Sequence, residues 1–289
     1  KIDTQAGFWK ITAINDKPGF YLASNYVGLY LITKEEGHWK IVNKIKGFDE
    51  SSRDILADTE PNTYWVCHGY KGVYKLHFNS DYSRVDAVDH FTDKNGFKSP
   101  YNINVFNWKG KIIFTTNTGI YDYNNHNSRF ELYEPLNKLF DPTKNTRKIL
   151  VANNKTWFIQ DDEAGYFDSN SENPKLNKDL FLNLKGSFNR GMESIYPLSN
   201  GKVFFGTNSG LYLYTILDNK VTGKYPTIIS KINYFHNQKM ELIEIDSDKN
   251  SISLPNQTDI LRFEFSSPKM ISSTEINYSY KLENVDENW

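Results

Sequence analysis

Five glycines, Gly28, Gly72, Gly119, Gly165 and Gly210, recur at intervals of 44, 47, 46 and 45 residues, and one pattern surrounds each of them. An apolar strand runs into a polar turn. An aromatic-rich strand follows, then a short loop ending in the glycine, then a strand mixing apolar and aromatic residues. The second unit shows it well: residues 54–57, a turn around Pro61 and Asn62, residues 64–67, and Gly72-Val73-Tyr74-Lys75-Leu76. The other units carry the same strands at 10–14, 20–24 and 28–31, at 103–106, 112–116 and 119–121, at 148–151, 156–159 and 165–167, and at 193–196, 203–207 and 210–214. A fourth, outer strand is expected in each gap, at 39–42, 86–91, 130–134 and 180–184. A period of roughly 40–50 residues with several strands per unit is that of β-propeller blades. The glycines sit where a short loop re-enters a strand, which commonly needs positive φ or close backbone approach.

The rule breaks at both ends. Only residues 215–224 follow the fifth unit's last strand, too few for an outer strand and a connection. Residues 1–7 are too short and polar to supply it from the other end. The expectation is an open arc of five blades belonging to a larger, seven-bladed ring, since an unpaired sheet edge invites aggregation. From residue 225 the repeat stops. Strands are expected at 226–234, 240–245, 260–265 and 278–282, with a turn at 246–250, and Leu261, Phe263 and Phe265 share one face by strict alternation. The fold class is therefore all-β: residues 1–224 form five four-stranded blades, and 225–289 the first strands of an immunoglobulin-like sandwich.

Composition narrows the function. Aromatics make up 15% of the chain, with 19 Tyr, 19 Phe and 6 Trp, which suits short half-buried strands. A net charge of −1 offers no footprint for nucleic acid. The lone Cys67 excludes an internal disulfide, and six dispersed histidines lack metal-ligand spacing. No apolar run is long enough to span a membrane, so any anchoring falls to segments outside this sequence. Asp246-Ser247-Asp248 imitates the start of a calcium loop, but Ser251 and Gln257 stand where glycine and a bidentate glutamate are needed. No cofactor and no catalytic set are expected. Asp161-Asp162-Glu163 is the densest acidic cluster, yet adjacent carboxylates on one loop do not flank a substrate.

Ligand recognition on a propeller uses the face built from the loops between second and third strands and those leading into each first strand. The first set contributes Tyr26, His68, Tyr70, Asn117, Asp161, Asp162 and Asn208, the second Arg53, Tyr101, Arg147 and Arg190. Arginines at comparable places in three blades would converge on a carboxylate or other anion. Tyr26, Tyr70 and Tyr101 would offer flat faces with a polar tip to a sugar. Each also reads as ordinary loop surface, or, for the arginines, as an inter-sheet ion pair.

The segment from Val203 through Gly206-Thr207 to Gly210-Leu211-Tyr212 resembles the two-component regulator propeller repeat. Asn277-Tyr278-Ser279-Tyr280-Lys281-Leu282-Glu283, with Asp286 and Trp289, resembles the signature of the triple-tyrosine domain that follows such propellers. Only the fifth unit keeps Gly-Thr in its second strand, and the third tyrosine would lie beyond Trp289. The resemblance implies the periplasmic sensor region of a bacterial membrane-bound regulator, hybrid two-component or helix-turn-helix, and not an enzyme. It implies a carbohydrate or another small molecule as ligand, no nucleic acid through this region, and a homodimer among the assemblies open to it. A protein-binding scaffold without a small ligand is the alternative, with a polysaccharide lyase or hydrolase behind it.

Overall fold

The computed structural model describes residues 7–198, 201–215, 227–243, 251, 253–256, 258, 260–267 and 278–286. Strands hold 52% of these residues and helices 5%. The chain divides into two compact units, Lys1–Ile216 and Leu217–Trp289.

The first unit is a succession of antiparallel sheets, each built from consecutive strands in sequence order. The first sheet holds β1 (Lys10–Ala13), β2 (Phe20–Asn25), β3 (Gly28–Glu35) and β4 (His38–Lys44). The second holds β5 (Asp54–Ala57), β6 (Thr63–His68), β7 (Gly72–Phe78) and β8 (Val85–Phe91). The third holds β9 (Asn104–Trp108), β10 (Lys111–Thr116), β11 (Gly119–Asn124) and β12 (Arg129–Leu132), with a short helix α1 (Glu134–Asn137) after it. The fourth has three strands, β13 (Thr146–Ala152), β14 (Lys155–Gln160) and β15 (Glu163–Asp168). The fifth also has three, β16 (Ser194–Pro197), β17 (Lys202–Thr207) and β18 (Gly210–Thr215).

Neighbouring sheets share a hydrophobic layer, and the strand pleat explains how. Successive side chains point to opposite faces, so Tyr64 and Val66 of β6 join the cluster shared with the first sheet, through Leu22, Leu29 and Leu31. Trp65 and Cys67 join the one shared with Val105, Phe114 and Tyr121 of the third sheet. In the fourth sheet Phe158 packs with Phe106 and Ile113 behind it. Trp157 and Ile159 pack with Val203 and Phe205 ahead. A strand covered on both faces has no solvent side, so every residue of β6 is buried. Outer strands have one: β4 alternates between exposed and half-buried along its length.

The recurring glycines divide. Gly28, Gly72, Gly119 and Gly210 each open the third strand of their sheet with positive φ, from 86° to 132°. At Gly72 a Cβ would stand 2.2 Å from the Phe91 carbonyl oxygen, so both space and φ demand glycine. Gly165 is not equivalent to them. It is the third residue of β15, in extended backbone, and the position matching the others is Glu163, which pairs with Gln160. Its requirement is room: a Cβ there would meet the Phe158 ring at 2.6 Å and the Asn177 carbonyl oxygen at 2.8 Å. In two of the turns a threonine hydroxyl braces the glycine. Thr116 donates to the Gly119 carbonyl at 3.0 Å and Thr207 to that of Gly210 at 2.9 Å.

Two expected strands are not strands. Residues 179–184, Asp179–Leu184, form a 3-10 helix rather than the outer strand expected at 180–184. Phe181 and Leu184, three residues apart, fall on one side of that helix and are buried between the fourth and fifth sheets. Strand geometry would put residues of odd separation on opposite faces.

In the second unit, β19 (Ile228–His236) pairs antiparallel with both β20 (Lys239–Ile243) and β21 (Ile260–Ser266). The expected strand at 278–282 is instead irregular. The Leu282 amide donates to the Asp286 carboxylate at 2.8 Å, and the Leu282 carbonyl accepts from Val285 and Asp286. This local turn uses the groups a ladder would need. Tyr278 packs edge-on against Phe265, with ring centroids 4.9 Å apart, and its hydroxyl accepts from the Ser267 amide. Residues 1–6, 216–226, 246–250, Asn277 and Trp289, on which several sequence expectations fell, lie outside the described residues.

Candidate functional site

The first strands of all five sheets, or the residues just before them, line one cavity of about 400 Å³. Its wall is Phe8, Trp9 and Lys10 from the first sheet, Arg53 and Asp54 from the second, and Asn104 and Phe106 from the third. Arg147 and Lys148 come from the fourth, and Gly191, Met192, Glu193 and Ser194 from the fifth. Cavities of this size accommodate small molecules.

A backbone irregularity concentrates charge here. Thr146 pairs with Gln160 and Lys148 with Ile159, so Arg147 is the extra residue of a β-bulge. Regular alternation would send Arg147 and Lys148 to opposite faces; the bulge lets both line the cavity. The wall carries four cations, Lys10, Arg53, Arg147 and Lys148, against two carboxylates, Asp54 and Glu193. Lys10 holds Asp54 at 2.5 Å. Arg147 holds Asp161, outside the wall, at 3.1 Å, and its Nε lies 3.7 Å from Glu193, near enough for charge attraction but too far for a hydrogen bond. The Glu193 carboxylate accepts instead from the Gly191 amide at 3.0 Å. The Arg53 guanidinium donates to two neutral acceptors, the Ile103 carbonyl at 2.8 Å and Asn104 Oδ1 at 2.7 Å. Lys148 has no carboxylate within 4.0 Å among the described residues; its ammonium lies 6.0 Å from the Phe106 ring centroid. Burial pushes its pKa below the ordinary lysine value.

Of the residues expected at a site, Arg53 and Arg147 line the cavity and the others do not. Asp161 reaches it only through Arg147. His68 is buried, and burial lowers its pKa; its Nδ1 accepts from the amides of Tyr70 and Lys71, so it braces a turn. Asn117 accepts from Asn145, which bonds in turn to Asn104, an inter-sheet polar chain. Tyr26, Tyr70 and Tyr101 are exposed, Tyr26 against the Trp9 ring at 4.6 Å and Tyr70 against His68. Asp162 and Asn208 engage Gly186 and Ser187 through their backbone, and Arg190 is exposed. Sequence reasoning missed Trp9, Lys10, Lys148, Met192 and Glu193. Their shared signal is position at the start of a first strand, where only arginines and Tyr101 stand out by residue type.

Glu163, the last residue of the acidic cluster, opens β15 and gathers three lysines. Lys144 and Lys178 meet one of its oxygens at 3.2 and 3.0 Å, and Lys185 the other at 3.1 Å.

No protein-family model matches the sequence, and no curated protein does. Solved structures do match. The extracellular domain of BT3049 from B. thetaiotaomicron, described as a hybrid two-component system, aligns over 86% of this chain with a TM-score of 0.58 and 16% identity. That of BT4673 from the same organism, described in the same terms, aligns over 84% with a TM-score of 0.51 and 14% identity. The likeness is one of fold. The chain spans 34% and 28% of those two chains. No helix among the described residues is long and apolar enough to cross a membrane.

Proposed function

We propose that this chain is the extracytoplasmic, periplasmic sensing part of a bacterial membrane-bound regulator, and that it has no catalytic role. In this reading the five sheets of the first unit are successive blades of a β-propeller. The second unit is the opening part of a triple-tyrosine, immunoglobulin-like sandwich that passes the signal on. The ligand is a small molecule, such as an oligosaccharide end, bound where the first strands meet.

One observation carries the proposal: a single cavity draws its wall from five segments spread between Phe8 and Ser194. Sheets stacked face to face in sequence order, each sharing a core with the next, are what radial repetition produces. The fold likeness to extracellular domains of signalling proteins supports the location.

The test is a thermal-shift screen of the chain against sugars and other small polar molecules, repeated on Met192→Trp, whose indole would fill the cavity. A ligand that raises Tm in the unaltered chain and not in the variant supports the proposal. A ligand that stabilises both equally places the site elsewhere. A chain that responds to no small molecule but captures a protein partner is a scaffold.

A further inference from the structure

The cavity's charges do not balance. Lys10 and Asp54 satisfy each other at 2.5 Å. Arg147 is shared between Asp161 and Glu193. That leaves Arg53, whose hydrogen bonds go to neutral oxygens, and Lys148, which Asp54 and Glu193 attract only from beyond 4.0 Å. Counting the wall with Asp161, four cations face three carboxylates. Unmatched charge in a partly enclosed site is costly. Beside these groups stand Phe8, Phe106 and the Met192 side chain, an apolar surface for the body of a ligand.

Resting on the sensing reading above, we propose that this cavity is an anion site that takes the carboxylate of a monosaccharide-sized ligand between Arg53 and Lys148. The carboxylate accepts charge-assisted hydrogen bonds from the free Lys148 ammonium and from the Arg53 nitrogens not used by Asn104 and Ile103. One negative charge offsets the one surplus cation. The apolar wall covers the ring or chain that bears the carboxylate.

Isothermal titration of the 289-residue chain with glucuronate and with glucose, at low and high sodium chloride, tests this directly. Glucuronate should bind at least about tenfold more tightly than glucose, the equivalent of one charge-assisted bond, and salt should shrink that preference. Lys148→Met should abolish the preference and Lys148→Arg should keep it, with thermal unfolding confirming that both variants fold. Salt dependence in the unaltered chain decides the matter if Lys148→Met does not fold. Equal binding of both sugars, unchanged in Lys148→Met, overturns the anion site while leaving the cavity as a ligand site. Failure of the folded chain to bind glucuronate also overturns it. A neutral ligand whose thermal shift is lost in Met192→Trp would still uphold the sensing reading.

Discussion

The guanidinium of Arg53, just ahead of the second sheet, donates to the side-chain oxygen of Asn104, on the first strand of the third, at 2.7 Å. Asn104 continues the link to Asn145 ahead of the fourth sheet at 3.1 Å. Three sheets are thus tied together at the rim of the cavity by side chains alone, and the same arginine contributes charge to its wall. The tie between sheets and the charge of the cavity wall draw on one residue.

Arg53→Met should therefore weaken the fold as well as any binding. Two hydrogen bonds from a charged, half-buried donor are lost, and Asn104 and Ile103 are left with unpaired oxygens. Urea unfolding should show a loss of about 1–3 kcal/mol. Arg190→Met, at an exposed position, should stay within about 0.5 kcal/mol of the unaltered chain.

Glycine substitutions separate conformational demand from mere composition. Gly72→Ala meets both a φ of 86° and a carbonyl oxygen 2.2 Å from the new Cβ, and should cost more than about 1 kcal/mol in chemical denaturation. Gly69→Ala, three residues earlier in open space and without positive φ, should change stability by less than about 0.5 kcal/mol.

The repeat was legible because its causes are local. Strand alternation and a glycine needing positive φ write themselves into a sequence at fixed spacing, and β1 to β11 fall close to their expected places. What was not legible came from departures from regularity. The bulge at Arg147 reverses the parity of the strand that follows, so no alternation rule could bring Lys148 to the cavity beside it. Gly165 has the spacing of its counterparts, but steric room beside Phe158 explains it, not turn geometry. Asp179–Leu184 reads as a strand by composition, yet Phe181 and Leu184 must point the same way into a shared core, which a short helix allows. Charge pairing is a tertiary fact: nothing in Asp161-Asp162-Glu163 tells which carboxylate meets an arginine and which collects three lysines.

That lysine cluster sets an acid dependence. Burial acts to raise the Glu163 pKa, but hydrogen bonds from Lys178, Lys185 and Lys144 outweigh it and bring it from 4.5 down to about 2. A carboxyl depressed on folding contributes stability that is complete above its unfolded value and disappears as pH falls through its folded value. Unfolding followed from pH 4.5 to 2 should show this loss. Glu163→Gln should flatten that part of the profile and lower stability at neutral pH, where three lysines lose their shared anion.

Cys67 should be inert in the folded chain. It is fully buried in the layer between the second and third sheets, and burial pushes its thiol well above the ordinary range. An aromatic disulfide reagent should leave it unmodified in native buffer and titrate it only in denaturant. Modification at a rate independent of denaturant would contradict the packing of that layer.

The central claim is that five distant segments form one ligand site. Hydrogen exchange by mass spectrometry, with and without a small molecule that raises Tm in the screen, tests it most directly. The expected result is joint protection of peptides covering residues 8–10, 53–54, 104–106, 147–148 and 191–194, which line the cavity. Protection confined to a single sheet, or to residues 227–267 of the second unit, would contradict it.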